Sequence, residues 1–453
     1  MNKSTRLPLL FRHVTYNLRG GFLVRPLTIA LALGCAGAFL SWWEEAVPGF
    51  SAWVPKALFP SHADPQVAQV ILAAIAASIM TVVSIVFAIL LMTLTLASMQ
   101  FSPRIIVSFA RDRVTQWTLG IFLGTFCYCM AALPAARSLP HPFAPVATVL
   151  GAMLLALACV AWLLYFIHHI SQAISVNQIV DRIASETEAM IDEMMPLPHR
   201  PTRMADNDPV KPEAWETTVF SDTSGYIRFI DTEQLVARAK AYRVKVHVLR
   251  RVGQFVPAGI PLLMVYKGER LSSEGVTDLR AAFDFGPART LQQDLEFGVL
   301  QIVDIALKAI SPAVNDPSTA ISCVDQLSRI LIRFASRELP ESVLYDPPGV
   351  VRVSIQWTDF DRMVDAGFEQ IRLYSQTDMA VSLRLLRALG DIAVGTPDEQ
   401  YRRTLAERGR RIVSGCAQRL GELELREMRV RLASLESFVA PPSLEFEHKK
   451  VSS

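Results

Sequence analysis

The sequence predicts a membrane α-helical protein with four transmembrane helices, followed by a cytoplasmic α+β domain. Two observations predict this fold class. First, the long apolar segments of the 453-residue chain all lie in its first part, and the longest has no ionisable side chain from Gln66 to Pro103, a stretch of 38 residues. A bilayer core requires only about 20 helical residues. The first part of the chain therefore belongs in a membrane.

The second observation is the uneven distribution of charge. Residues 1–180 contain ten lysines and arginines and four acidic residues, whereas the rest of the chain contains 35 and 39. The charge-poor first part fits a membrane domain, and the second part has the composition of an ordinary globular domain. Its near-neutral charge gives no reason to expect nucleic acid as a partner.

Four spans account for the apolar segments of the transmembrane domain, which is predicted at 1–175. They lie at about 23–43, 67–100, 115–135 and 143–172. Basic residues gather in the N-terminal tail and in the loop after the second span, while each of the other two loops has one. Because positively charged loops stay in the cytoplasm, both termini are predicted to be cytoplasmic.

The remainder of the chain is predicted to form four segments. A helical extension, which continues the fourth span without a break, and a linker occupy 176–215. A small β-rich subdomain with a sandwich-like arrangement follows at 216–287, and a mainly helical subdomain, a helical bundle with one lone strand at 350–357, occupies 288–440. The tail, 441–453, is polar and is predicted to be disordered.

Turn residues and apolar periodicity predict the elements of this second part. Gly253 and Gly259, each followed closely by proline, predict tight turns. The pattern around them resembles half of a lipoyl- or biotinyl-type β-sandwich, which implies a fold and no swinging-arm function. Apolar residues at helical spacing predict helices at 317–336, 358–375, 379–394, 398–418 and 420–437.

One face of the second span carries a stripe of small and hydroxyl side chains. Steps of three and four residues place its members on one helix face: Thr81, Ser84, Ala88, Leu91, Thr95, Ser98 and Ser102. In one interpretation the stripe lines a pore in which Leu91 forms an apolar constriction. In the other, small residues only allow membrane helices to pack closely. The length of the helix favours the pore, and both interpretations remain open.

Basic residues follow the second span directly. Arg104, Arg111 and Arg113 form a basic collar, which either attracts anions to the mouth of a pore or sets the topology and binds anionic lipid. A second candidate site is the corner between two predicted helices, at Asn315 and Asp316. Its backbone N–H groups could bind an anion, although an aspartate before a proline is also an ordinary helix cap.

Four segments resemble a family of predicted bacterial membrane proteins known as domain of unknown function 2254. They are ASMQFSPRIIVSFARDRVTQWTLGIFLGTFCYC (97–129), SGYIRFIDTEQLVARAK (224–240), DLEFGVLQIVDIALKAISPAVNDPSTAISCVDQLSRIL (294–331) and YDPPGVVRV (345–353). The resemblance spans nearly the whole chain. It implies a multi-spanning inner-membrane protein with a cytoplasmic domain, and it implies no activity.

The sequence favours a homo-oligomeric passive ion channel, with the second span lining the pore and the cytoplasmic domain forming a vestibule or gate. The alternative is a membrane-anchored scaffold or sensor whose cytoplasmic domain binds a partner. The expected partners are the lipid bilayer, further copies of the chain and ions. No enzyme motif is present, so no catalytic, cofactor-binding or metal site is predicted, and the six cysteines are predicted to be reduced and buried.

Overall fold

The computed structural model describes residues 24–439, apart from 48, 55–63, 101–112, 139–141, 174, 198–216 and 348. The chain forms two compact units, residues 1–175 and 176–453. The predicted linker after residue 197 and the predicted disordered tail, 441–453, lie outside the described residues.

Four apolar helices are found among the described residues of the first unit. They are α1 (Val24–Ala46), α2 (Pro65–Gln100), α3 (Arg113–Ala132) and α4 (Val146–Ala173). Each is long and apolar enough to cross a membrane, which confirms the four predicted apolar spans. The central helix is α3, because half of its apolar segment is buried inside the unit, against 17% to 22% for the other three.

The second unit begins with α5 (Val176–Met194). The prediction of one unbroken helix from the fourth span into this segment is wrong, since α4 ends at Ala173 and α5 begins at Val176. No proline or glycine marks the interruption, so periodicity alone could not locate it. Unlike the uniformly apolar α4, α5 is amphipathic and buries one face that includes Ile179, Ile183 and Ile191.

Among the described residues, eight short strands and two α-helices form the β-rich part of this unit. The strands are β1 (Thr217–Phe220), β2 (Gly225–Ile230), β3 (Lys245–Val248), β4 (Phe255–Val256), β5 (Pro261–Tyr266), β6 (Phe283–Gly286), β7 (Val343–Asp346) and β8 (Val350–Ser354). Two helices lie between strands, α6 (Thr232–Ala241) and α7 (Ser273–Arg280). The strands form one five-stranded sheet, in the order β1-β5-β3-β8-β7, and one three-stranded sheet, in the order β4-β2-β6.

Side chains from both sheets share one apolar core. Val246 and Leu263 of the larger sheet belong to the same buried cluster as Ile227 and Ile230 of the smaller one. Alternation along β3, where Val246 and Val248 are buried and His247 is half-buried, directs one face of the larger sheet into this core. The mixed helical and sheet character of the second part is therefore confirmed, whereas a sandwich stays a prediction.

The lone strand predicted at 350–357 is not alone. β8 pairs in parallel with β3, with Val353 opposite Val246, and in antiparallel with β7. A local sequence pattern cannot reveal a parallel partner about a hundred residues away, because period-2 alternation shows only that a segment is extended. The larger sheet thus takes strands from both predicted subdomains.

Six further α-helices follow in the part of the second unit that the structure describes. They are α8 (Leu295–Ala309), α9 (Pro317–Ala335), α10 (Phe360–Tyr374), α11 (Met379–Gly395), α12 (Glu399–Cys416) and α13 (Glu422–Ser437). The bounds of α9 to α13 lie within two residues of the predicted ones. Five successive helices share one start signal, an aspartate whose carboxylate accepts a hydrogen bond from a backbone N–H of the first turn: Asp294, Asp316, Asp359, Asp378 and Asp398.

Candidate functional site

The stripe of small and hydroxyl residues on α2 faces out of the chain. All five stripe members whose side chains the structure describes are exposed: Thr81, Ser84, Ala88, Leu91 and Thr95. The side chain of Leu91 is 51% exposed. Along this described part, the stripe is therefore not buried within the single chain.

The hydroxyl groups of the stripe bond to their own helix. Each donates to the carbonyl oxygen four residues earlier: Thr81 to Ala77 at 3.1 Å, Ser84 to Met80 at 3.0 Å and Thr95 to Leu91 at 2.8 Å. This arrangement satisfies the hydroxyl proton in an apolar medium. The outward lone pairs of the oxygen atoms remain able to accept hydrogen bonds from water.

The opposite face of α2 packs inside the unit. Its buried residues, which include Ala68, Leu72 and Ala76, belong to an apolar cluster with Tyr128 and Cys129 of α3. Small residues lie on both faces of α2, but the inner face already has its partner. Helix packing within a single chain therefore explains the small residues on the inner face of α2, but it does not explain the stripe on the outer face.

The outward face of α4 has a different composition. It presents large aliphatic side chains, as expected of a surface that contacts lipid: Leu154, Leu157, Val160, Leu164 and Ile167 are each at least 51% exposed. Larger apolar residues also flank the stripe on α2, among them Ile85, Phe87 and Met92. Within the described chain, the stripe is thus a narrow small-residue seam between bulkier neighbours.

The rest of the stripe and most of the basic collar lie beyond the described part of α2. Ser102, Arg104 and Arg111, together with the side chain of Ser98, lie outside the described residues. Arg113 is the first residue of α3, and its side chain is exposed. The predicted collar therefore stays a prediction.

Glycines hold α1 against α3. A Cβ atom built on Gly37 would lie 2.6 Å from the carbonyl oxygen of Tyr128, and one built on Gly120 would lie 2.7 Å from Cδ1 of Ile29. Gly124 meets Leu33 in the same way. Gly120 and Gly124 form a GxxxG motif, which lets two membrane helices approach closely. Sequence reasoning missed this contact, although the motif is visible in the printed sequence.

Polar contacts join α3 to α4. The indole Nε1 of Trp162 donates to Oγ1 of Thr118 at 2.9 Å, and the hydroxyl of Tyr128 donates to the carbonyl oxygen of Thr148 at 3.0 Å. Oγ1 of Thr125 lies 3.3 Å from Sγ of Cys159. These buried and partly buried contacts hold α3, on which the inner face of α2 packs, against α4.

A buried carboxylate joins the end of α1 to the N-terminus of α4. Glu44, near the end of α1, is only 5% exposed, and it accepts hydrogen bonds from the backbone N–H groups of Ala147 and Thr148 at 2.8 and 3.1 Å. The hydroxyl of Thr148 adds a third bond at 3.0 Å. The carboxylate therefore satisfies free N–H groups at the N-terminus of α4. The neighbouring Glu45 instead forms an exposed ion pair with Arg137.

The predicted helix-corner site forms a cap with its own groups. Asn315 adopts a left-handed conformation with φ 50°, and Asp316 accepts from the backbone N–H of Thr319 at 3.1 Å and from its hydroxyl. The bonds from the Thr319 hydroxyl and backbone lower the pKa of Asp316 below its ordinary value. The structure thus brings both predicted residues together at the start of α9, where Asp316 already serves the helix.

A buried ion pair joins the β-rich part to α8. Asp294 caps α8, is 4% exposed, and accepts from Nε and Nη2 of Arg289 at 2.7 and 2.8 Å. Burial acts to lower the pKa of Arg289, but the hydrogen bonds and charge of Asp294 and the charge of Glu296 outweigh it and raise the pKa. Gly253, with φ 86°, turns directly over this pair, and no sequence pattern pointed to the contact.

The remaining candidate chemistry is sparse. The six cysteines are free. The predicted burial is confirmed for Cys129, Cys159, Cys323 and Cys416, but it is wrong for Cys35, which is exposed on α1, and Cys127 is only half-buried. Burial raises the pKa of the Cys323 thiol to about 12, which removes it as a nucleophile at neutral pH. Among the residues that the structure describes, no three histidine, cysteine or acidic side chains gather as a potential metal site.

Comparison with known proteins identifies relatives along most of the chain. Residues 19–391 match the model of the family DUF2254, described as a predicted membrane protein. The uncharacterized proteins Mb1321c of Mycobacterium bovis and Rv1290c of Mycobacterium tuberculosis are each 32% identical over 393 residues, which cover 85% of this chain and 74% of each relative. No solved structure matches the chain.

Proposed function

The chain belongs to the DUF2254 family of predicted membrane proteins, and we propose that it forms a homo-oligomeric passive ion channel in the bacterial inner membrane. In this proposal α2 lines the pore, and the second unit lies in the cytoplasm as a vestibule or gate. One observation carries the proposal: the small and hydroxyl stripe of α2 faces out of the single chain, while the other face of α2 packs on α3.

The spacing of the stripe supports a ring of α2 helices. Ala77, Thr81, Ser84, Ala88 and Leu91 are exposed and follow one another at steps of four and three residues. A repeat of 3.5 residues keeps one seam in contact with neighbouring helices along a left-handed supercoil. Several copies of α2 around an axis would direct this seam at the axis, and bulkier neighbours such as Phe87 would contact adjacent subunits or lipid.

Such a pore would have wet and dry levels. The oxygen atoms of Thr81, Ser84 and Thr95 accept hydrogen bonds from water, while a ring of Leu91 side chains forms an apolar constriction that can exclude water. The basic collar that begins beyond the described end of α2 would raise the concentration of anions at the mouth of the pore. Neither a bound cofactor nor a catalytic group is part of this mechanism.

A membrane-anchored scaffold or sensor remains the second proposal, because one observation favours it. Every described hydroxyl of the stripe donates to its own helix, so the face can lie against lipid or another helix without water. In that case the stripe joins copies of the chain, or contacts lipid, and the second unit binds a partner.

A bulky side chain in the stripe separates the two proposals. We expect Ala88→Trp to abolish ion flux from proteoliposomes, because an indole ring from each subunit would fill the pore. Ala158→Trp is the matched control, since Ala158 is also an exposed alanine, on the outward face of α4. It should leave flux unchanged. The measurement is the release of trapped ions from vesicles that contain equal amounts of each protein.

The oligomer of each variant is checked by size in detergent, so that loss of assembly is not mistaken for a blocked pore. Equal flux from Ala88→Trp and the parent protein would remove α2 as the pore lining. An absence of flux from the parent protein across pH and osmotic conditions would favour the scaffold or sensor.

A further inference from the structure

One end of the second unit is formed by α5 and α9, which begin there together. Asp181 of α5 accepts a hydrogen bond from Arg329 of α9 at 2.8 Å, and farther along both helices Asp192 accepts one from Arg333 at 2.7 Å. The two helices therefore run in parallel. Because both rise 1.5 Å per residue, their first residues, Val176 and Pro317, lie at the same end of the unit, which we term the α5 end.

The end of α10 lies at the α5 end as well. The ring of Phe360, at the start of α10, stacks on Phe334 near the end of α9, with the centroids 6.5 Å apart. Gly367, in the middle of α10, faces Leu327, in the middle of α9. α10 therefore runs opposite to α9, and its last residue, Tyr374, lies near the first turn of α9.

Two corners at the α5 end expose apolar side chains. Val314, in the corner between α8 and α9, is 49% exposed. Leu373 and Tyr374, in the corner between α10 and α11, are 50% and 71% exposed. Removing these apolar side chains from water would favour a surface that covers them.

The corner that contains Val314 has few charges. From Ile305 to Val324 the charged residues are Lys308 and Asp316. Lys308 is exposed, whereas Asp316 is half-buried and accepts two hydrogen bonds from Thr319. Within this corner, an anionic surface would therefore meet an exposed lysine and an apolar tip and no exposed carboxylate.

The segment between the last apolar span and α5 is short enough to keep the α5 end within reach of a lipid surface. The last apolar span ends at Ser171, and α5 begins at Val176. Five residues of chain cover at most about 18 Å. We propose that the α5 end lies against the bilayer surface and that Val314, Leu373 and Tyr374 insert among the lipid headgroups, where tyrosine is a favoured residue. This proposal does not depend on whether the protein conducts ions.

Fluorescent labels at matched positions test the proposal. The whole chain, with the exposed Cys35 and the half-buried Cys127 replaced by serine, receives a single new cysteine through Val314→Cys, Tyr374→Cys or Val394→Cys. Val394 is the control, because it is a valine with 66% exposure near the end of α11, where Gly395 faces Ile332 of α9, far from the first turn of α9. Each labelled protein is reconstituted in vesicles of phosphatidylethanolamine and phosphatidylglycerol.

Two quenchers report the surroundings of each label. We expect nitroxide-bearing lipids, present in both leaflets, to quench the labels at positions 314 and 374, and aqueous iodide to quench the label at 394 alone. Equal quenching by iodide at 314 and 394, without quenching by lipid, would overturn the proposal. Protection of the label at 314 from both quenchers would also overturn it, since a protein partner or a second copy would then cover this end.

To exclude an effect of the dye, unlabelled cysteines are reacted with a charged thiol reagent in the same vesicles. The proposal predicts slower modification at 314 than at 394, and equal rates at the two positions would contradict it.

Discussion

We expect Gly253→Ala to destabilise the second unit by about 4 kcal/mol, because a Cβ atom there would break a buried ion pair. The added atom would overlap the carboxylate of Asp294 and lie 2.8 Å from Nη2 of Arg289. Neither group can move into water, since their side chains are only 3% and 16% exposed. The left-handed backbone, with φ 86°, adds a cost of order 1 kcal/mol for any residue other than glycine.

Gly259→Ala provides the matched control for this prediction. Gly259 has almost the same backbone conformation, with φ 81°, but a Cβ atom there would meet no atom within 4 Å. Its substitution should therefore cost only the backbone strain, about 1 kcal/mol. The readout is the hydrogen-exchange protection of backbone amides in α8 and β2, which reports the stability of this unit by itself.

A double-mutant cycle tests whether the difference in stability between Gly253→Ala and Gly259→Ala arises from the buried ion pair. In an Asp294→Ala background, Gly253→Ala should cost only slightly more than Gly259→Ala, because the carboxylate is gone and only the flexible end of the Arg289 side chain still lies close to the added Cβ atom. Equal costs for the two glycine substitutions in the parent protein would contradict this account of the turn.

The second large loss of stability is expected from Glu44→Ala in the first unit. The substitution leaves the N–H groups of Ala147 and Thr148 and the hydroxyl of Thr148 without their acceptor, in a place where Glu44 itself is 5% exposed. Each buried unsatisfied group costs about 1–3 kcal/mol, so a loss of about 3 kcal/mol in unfolding free energy is expected. The interaction also fixes the end of α1 to the start of α4.

Glu45→Ala is the control, because it removes a carboxylate from the adjacent residue. The ion pair of Glu45 with Arg137 is exposed, and such pairs contribute between zero and about 1 kcal/mol. Both variants are unfolded from mild micelles by titration with dodecyl sulfate, with tryptophan fluorescence as the signal. A cost for Glu44→Ala no larger than that for Glu45→Ala would show that the buried carboxylate does not hold the two helices together.

The contrast between these two glutamates illustrates a limit of sequence reading. Both belong to what the sequence indicated as a loop after the first span, because charge there ends an apolar run. In the structure, α1 continues to Ala46, and only the carboxylate of Glu44 reaches the N-terminus of α4. No pattern in one chain distinguishes adjacent glutamates, since the difference is the rotation of α1 against a helix about a hundred residues away.

The helices of the second unit show the opposite case. Several helix starts are marked by a cap aspartate whose hydrogen bond spans three residues or fewer: Asp316, which precedes Pro317, Asp359, Asp378 and Asp398. Such signals are complete within a short segment. The GxxxG motif at Gly120 and Gly124 is equally local and could have been found, although its partner, α1, could not.

The stripe on α2 lies between these cases. Its periodicity, together with the absence of charge, established by itself a long membrane helix with one small-residue face, because both features depend only on helical geometry and on the cost of charge in a bilayer. Only the tertiary structure decided which face of α2 meets α3 and that the stripe points away from the chain. The same holds for β8 beside β3 and for Gly253 over Asp294, because contacts between distant segments depend on how whole elements pack, and no local pattern carries that information.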